Sequence, residues 1–277
     1  MKNFYLTDLD FTFLRSDQSV SPFSREVWNG LVESGVKLSV ATARSYTGVM
    51  KLLSGLNLTE PLILLDGVMI ASPNGEILDL RAIDRELGDE IIDLSFKVLE
   101  SYPLLVGLES DDKERFIYPK KRNSFQEELL KTFHNDRRLI DAEPFRAMDR
   151  NLKIVYLDTE KRTRELAEVL KERFGDAIEI KRSKDPYIDC WFMTVLDAKG
   201  DKAHALLKLE EIEEVEKENT TVFGDSHNDI GLFEAAGRKV AVANAIDELK
   251  NVADIVLPWS NDEDAVAKFL KKEMAYV

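Results

Sequence analysis

The first apolar run of the chain, "FYLT" at 4–7, stops at Asp8 and Asp10, and an amphipathic stretch over 22–34 follows and ends before Gly35. Short apolar runs bounded by polar punctuation predict strands, and apolar positions three and four apart predict helices that bury one side. The alternation continues through "VKLSVAT" (36–42), a helix over 45–55 and "PLILL" (61–65). This β-α-β-α-β order predicts a parallel sheet covered by helices. In "VMIASPNGEIL", Asn74-Gly75 between two apolar runs predicts a hairpin.

From about 81 to 189 the texture changes to long charged helical patterns, such as "IDRELGDEIIDLSFKVLES" and "TEKRTRELAEVLKERFG", separated by strands such as "NLKIVYLD". A second, α+β domain is expected there. The β-α-β rhythm resumes from about 190, with a helix at 201–214, strand "TTVFG" (220–224), a helix at 229–236, strand "KVAVAN" (239–244), a helix at 247–252, strand "ADIVLP" (253–258) and a closing helix at 262–274. The expected fold is therefore α/β, a Rossmann-like parallel-sheet core made of 1–80 and 190–277, interrupted by an inserted domain at 81–189.

Composition narrows the partners. With 52 acidic against 38 basic side chains the formal charge is −14, which opposes attraction to nucleic acid or to an anionic membrane. No stretch approaches the roughly 18 apolar residues of a membrane span. The opening "MKNFYLTDLD" lacks the pattern of a secretory signal, so a cytoplasmic protein is expected, as a monomer or homodimer. Cys190 is the only cysteine and is read as a packed small hydrophobe.

Three strand-like runs end in polar residues: "FYLT" leads to Asp8 and Asp10, "KLSVA" to Thr42, and "TTVF" to Gly224 and Asp225. Ligands of an open parallel sheet bind beyond the carboxyl ends of its strands, so these residues converge if the runs are neighbours. Singly, each piece also fits a structural role: Asp-x-Asp a solvated turn, Lys202 in "KGDKAHALLKL" an exposed lysine, "GDSHND" (224–229) a capped loop.

Together, in this order, D-x-D-x-T, a threonine after a second strand, a lysine and G-D-x-x-N-D resemble the haloacid dehalogenase superfamily. "GDSHNDIGLFEAAGRKVAVANAIDELKNVADIVLP" resembles its Cof-like phosphatase branch, in which a large α/β cap lies between the threonine and lysine motifs. Two positions depart from the pattern: Phe11 replaces the usual glycine of D-x-D-G-T, and Ala43 in "TAR" replaces the glycine of "TGR". Neither departure removes a functional side chain.

The resemblance implies a Mg²⁺-dependent phosphatase acting on small phosphorylated metabolites, foremost sugar phosphates, through an aspartyl-phosphate intermediate. Asp8 is then the nucleophile and Asp10 the acid and base; in extended chain the two point to the same side. The metal set is Asp8, the main-chain carbonyl of Asp10 and Asp225, with Asp229 close by or in an outer shell holding Lys202. Thr42, Lys202 and Asn228 serve the phosphate. Thr12 is expected to stabilise the loop, and His227, one of three histidines, to have a lesser claim on substrate. The cap is expected to choose the substrate, with "YPKKR" (118–122) more a solvated face than a contact, and with Arg182 and Tyr187 near the return to the core. Two other readings stay open: a phosphomutase using the same intermediate, and a noncatalytic phosphoacceptor module.

Overall fold

The computed structural model describes residues 3–133, 135–185 and 188–274. The chain divides into two compact units, one formed by the segment through Leu80 together with the segment from Asp201 onward, the other by Arg81–Gly200.

The first unit opens with β1 (Phe4–Thr7), α1 (Pro22–Glu33), β2 (Lys37–Val40), α2 (Tyr46–Leu52), β3 (Leu62–Leu64) and the hairpin β4 (Met69–Ala71) and β5 (Ile77–Leu80). All four residues of β1 are buried, as expected of a strand covered on both faces. Ser21 caps α1 by accepting from the Ser24 N–H, with Pro22 at the first helical position. Gly75 takes φ +90° in the turn between β4 and β5, as the Asn-Gly signal requires.

The insertion contains β6 (Ile83–Asp84), α3 (Arg85–Leu99), β7 (Leu104–Leu108), β8 (Glu114–Pro119), α4 (Ser124–Thr132), β9 (Leu139–Ala142), β10 (Arg150–Asp158), α5 (Glu160–Phe174), β11 (Ile178–Lys184) and β12 (Trp191–Asp197). Its sheet runs β11-β12-β10-β7-β8-β9, with β6 on the end of β10. Alternation along β10 divides the core. Ile154 and Tyr156 join the cluster that includes Ile91, Ile92, Leu166 and Leu170 of α3 and α5. Val155 and Leu157 join Cys190, with Phe125 and Leu129 of α4 packed against them. Burial pushes the Cys190 thiol up to about 11, in keeping with a packed rather than a reactive sulfur.

The expected return to the first unit at 190 is corrected to Asp201. Residues 191–197 form β12, paired antiparallel to both β10 and β11, so their burial belongs to the inserted sheet. After it come α6 (Lys202–Glu213), β13 (Thr220–Gly224), α7 (Ile230–Ala235), β14 (Arg238–Ala241), α8 (Asp247–Val252), β15 (Ile255–Val256) and α9 (Ala265–Met274). The central sheet runs β15-β14-β13-β1-β2, parallel throughout, and a parallel bridge from Ala41 to Ile63 brings β3 beside β2. Among the described residues no helix is long and apolar enough to cross a membrane.

Candidate active site

Strand order β13-β1-β2 sets the carboxyl ends of the three predicted runs side by side, at Asp225, Asp8 and Thr42. The Asp8 N–H donates to Phe223 O at 3.0 Å, and the Thr42 N–H to Ile63 O at 2.9 Å, so each leaves its strand on a fixed ladder bond. Asp8, Asp225 and Asp229 are buried and bring carboxylate oxygens within 4.8 Å of one another.

Lys202 joins them. Its side chain is 0% exposed, and Nζ donates to Asp8 Oδ1 at 2.6 Å and to Asp229 Oδ1 at 2.7 Å. The exposed-lysine reading is thereby excluded. Asp201 caps α6 by accepting from the Ala203 and His204 N–H groups, which fixes where the helix carrying Lys202 begins. Gly67, at φ +108°, lies against that start: a Cβ there would sit 2.1 Å from Asp201 O.

Asp229 is a holder of its neighbours. Its Oδ2 accepts from the Asp225 and Ser226 N–H groups at 3.0 and 3.2 Å while Oδ1 accepts from Lys202. A Cβ on Gly224 would come within 2.8 Å of the Asp229 carboxyl, so this close approach requires glycine. Thr12, expected to steady the loop, reaches Asp225 Oδ1 at 2.9 Å. Thr42 is fully buried; its Oγ1 accepts from the Arg44 N–H at 3.2 Å, which leaves its own proton for an acceptor. Asn228 accepts from Ser226 Oγ through Oδ1 and donates through Nδ2 to Asp66 Oδ1 at 3.3 Å. One amide proton of Asn228 is left.

Asp10 stands elsewhere. The chain does not run extended past Asp8 but winds into a wide turn over Leu9–Phe13, closed by the Leu14 N–H on Leu9 O at 2.8 Å. The same-side argument for Asp8 and Asp10 therefore does not hold. Asp10 is 37% exposed, outside the buried carboxylate cluster, and accepts from Arg44 Nε and Nη2 at 2.8 and 2.5 Å, a two-pronged ion pair that also engages Gln18. This Arg44 contact and the Asp66–Asn228 bond were not anticipated. The arginine of "TAR", two residues beyond Thr42, was the available signal; Asp66 in "LLDG" offered none.

His227 is exposed and Arg182 is bound within the insertion to Thr163 and Glu160, while His134 and Tyr187 lie outside the described residues. In "YPKKR", Lys120 pairs with Glu143 on the surface and Arg122 lies over Tyr118.

The electrostatics of the cluster call for a further cation. With all three carboxylates ionised, Asp8, Asp225 and Asp229 against Lys202 would leave two negative charges uncompensated in a buried place. Burial, with Asp229 adding to it, pushes the Asp8 carboxyl well above the ordinary aspartate range despite the opposing Lys202 charge. Burial and Asp229 likewise raise Asp225 to about 7. Burial works against the Lys202 ammonium, but Asp229 and Asp8 outweigh it and hold its pKa above the usual lysine value. An all-oxygen donor set with a deficit of two charges fits a divalent hard cation, which Asp8 and Asp225 would hold.

The sequence model of the haloacid dehalogenase-like hydrolases matches residues 5–270. The chain belongs to this family. It is 26% identical over 282 residues, covering 95% of each chain, to the Bacillus subtilis protein named 5-amino-6-(5-phospho-D-ribitylamino)uracil phosphatase YwtE, and 27% identical over 304 residues to the Bacillus subtilis phosphatase YwpJ, covering 95% of this chain and 97% of that one. Among solved structures it is similar to TM0651 of Thermotoga maritima, with a TM-score of 0.79 and 26% identity over 98% of this chain and 97% of that one. The family places the chain among hydrolases built on a parallel α/β core, as the β15-β14-β13-β1-β2 sheet shows.

The raised carboxylates give a prediction. For Asp225 the folded value lies above the unfolded one, so its contribution to metal-free stability is fully present below about pH 4 and is lost as pH rises through about 7. In chelator the melting temperature should fall between about pH 6 and about pH 8. Millimolar Mg²⁺ should restore it by about 5 °C, more at the higher pH, because a ligand bound only by the folded chain stabilises by mass action. Scanning calorimetry checks this, and Asp225→Asn should remove most of the Mg²⁺ increment.

Proposed function

We propose that this hydrolase is a Mg²⁺-dependent phosphomonoesterase that acts on small phosphorylated metabolites, sugar or polyol phosphates foremost, through a phosphoryl group carried on Asp8. The observation that supports it best is the buried triad Asp8, Asp225 and Asp229, held by Lys202 and two charges short of balance at the carboxyl ends of neighbouring strands. The YwtE relative is named for a phosphorylated ribityl compound, which supports a small polyol-type ester. The bound cation would offset the charge of the dianionic ester as the phosphoryl group approaches Asp8.

In the first step an Asp8 oxygen forms a bond to phosphorus and the ester P–O bond breaks, its electron pair staying on the leaving oxygen. Lys202 neutralises Asp8 and the transferring group, and the Thr42 hydroxyl and the remaining Asn228 proton donate to phosphoryl oxygens. Asp10 supplies the proton to the leaving oxygen. Both its oxygens accept from Arg44 in the structure, so Asp10 has to give up one of these bonds and hold a proton on the freed oxygen, the proton it takes from water in the second step, before it can act as the acid. In the second step Asp10 takes a proton from water as that water attacks phosphorus, and the bond to Asp8 breaks. The main-chain carbonyl of Asp10 completes the proposed metal set. The inserted unit, Arg81–Gly200, selects the substrate by its own side chains.

A panel of phosphorylated metabolites assayed for inorganic phosphate tests the reading. Release from several sugar phosphates, dependent on Mg²⁺, is expected; isomerised sugar phosphate without release would establish a mutase instead. Asp10→Asn should slow alkyl phosphates by about 10²- to 10³-fold and aryl phosphates with good leaving groups much less, since only the former need the proton. Equal slowing of both would remove the acid assignment.

A further inference from the structure

The residue between Asp10 and Thr12 carries a feature that the chemistry so far does not use. Phe11 adopts φ +57° and ψ +10°, the left-handed conformation that glycine takes freely and that a side chain with a Cβ disfavours. Its side chain gains nothing from the core in return: Phe11 is 50% exposed, the one exposed Phe, Tyr or Trp of the first unit among the described residues. The chain therefore keeps a bulky ring where a glycine would fit the backbone better, and leaves that ring in solvent.

The position is held firmly. On one side Asp10 is clamped by Arg44, and on the other Thr12 is bonded to Asp225. Phe11 O accepts from Asn244 Nδ2 at 2.7 Å, and Asn244 Oδ1 accepts in turn from the N–H of Asn261, whose Nδ2 donates to Leu14 O at the end of the same turn. An exposed aromatic ring on a backbone fixed from both sides is a preorganised surface, and aromatic rings prefer offset stacking on, or edge contact with, another ring. Its chain neighbour Asp10 is the group proposed to protonate the leaving oxygen, so the exposed ring is next in the chain to the group that would face the alcohol portion.

We propose that Phe11 is a specificity-determining residue that stacks against a planar aromatic group carried by the alcohol portion of the phosphate ester. The proposal rests on the phosphatase reading for the identity of the ligand, but its test does not need turnover. Binding of phenylphosphonate and cyclohexylphosphonate, which have no scissile ester bond, is measured by calorimetry with Mg²⁺ present, in the wild type and in Phe11→Tyr, Phe11→Gly and Phe11→Asn. Asparagine and glycine both tolerate the left-handed conformation, so a lost preference in these variants is not a lost fold, and their melting temperatures verify this.

The wild type and Phe11→Tyr should bind the phenyl compound about fivefold more tightly than the cyclohexyl one, and Phe11→Gly and Phe11→Asn should fall to within about twofold. A wild type without aryl preference, or a preference that survives Phe11→Gly, would overturn the proposal. Phosphate release from phenyl and cyclohexylmethyl phosphate is followed in parallel. Aryl preference in binding with no release from either ester would defeat the phosphatase reading and leave the role of Phe11 standing.

Discussion

Asp8→Asn is expected to lower kcat for any phosphate ester by at least about 10⁴-fold, with the fold intact. The amide keeps the size and shape of the carboxyl, so the ladder bond from the residue 8 N–H to Phe223 O is undisturbed. Its oxygen is too poor a nucleophile to take the phosphoryl group. The same change removes one of three crowded negative charges, and Lys202 keeps Asp229 as its partner at 2.7 Å. The melting temperature in chelator should therefore hold or rise. Loss of activity together with a collapse in stability would mean that Asp8 matters mainly as the partner of Lys202.

Lys202→Met, by contrast, should have a large effect on both activity and stability. The side chain is fully buried, and methionine fills much of the same volume without charge. Three buried carboxylates then have no internal cation. Breaking a buried ion pair by removing one partner costs about 3–5 kcal/mol, because the abandoned charges stay desolvated. Loss of the charge that meets the phosphoryl group should cost about 10³-fold in kcat. The deficit in stability has a pH signature. Without the lysine, Asp8 and Asp225, already raised by burial, favour their protonated forms still more strongly, so stability is lost as pH rises, and the gap from wild type should be smaller near about pH 5 than near about pH 8. Urea unfolding at the two pH values, in chelator, measures it. An equal gap at both would show that packing, not charge, accounts for the loss.

Both variants probe residues that were legible before the fold was known, and the reason is physical. The ends of β1, β2 and β13 are marked by a switch from apolar to polar residues, and a parallel sheet carries such ends to one edge whatever their separation in the chain. Lys202 was legible only in the company of the other motifs, since a lysine in the first turn of a helix opposes the dipole and by itself reads as surface. Tertiary burial between Asp8 and Asp229 overrides that preference.

What was not legible depended on backbone direction. Asp8 and Asp10 read as two positions of an extended strand, but the turn at Leu9–Phe13 separates them, one into the buried triad and the other onto Arg44. No spacing rule encodes a left-handed Phe11, because the pattern around it leads one to expect glycine. The return at 190 failed for a related reason. "WFMTVLD" is as apolar as a core strand, and only its pairing with β10 and β11 shows which sheet it completes.

The central claim is that a phosphoryl group passes through Asp8, and chemical trapping measures it most directly. Wild-type protein mixed with Mg²⁺ and a turned-over phosphate ester is quenched with borohydride, which reduces an acyl phosphate to the alcohol, and the digest is read by tandem mass spectrometry. The account predicts homoserine in place of aspartate at position 8, dependent on substrate and absent from Asp8→Asn. Sustained phosphate release with position 8 unmodified, or with the reduced residue elsewhere in the chain, would contradict it.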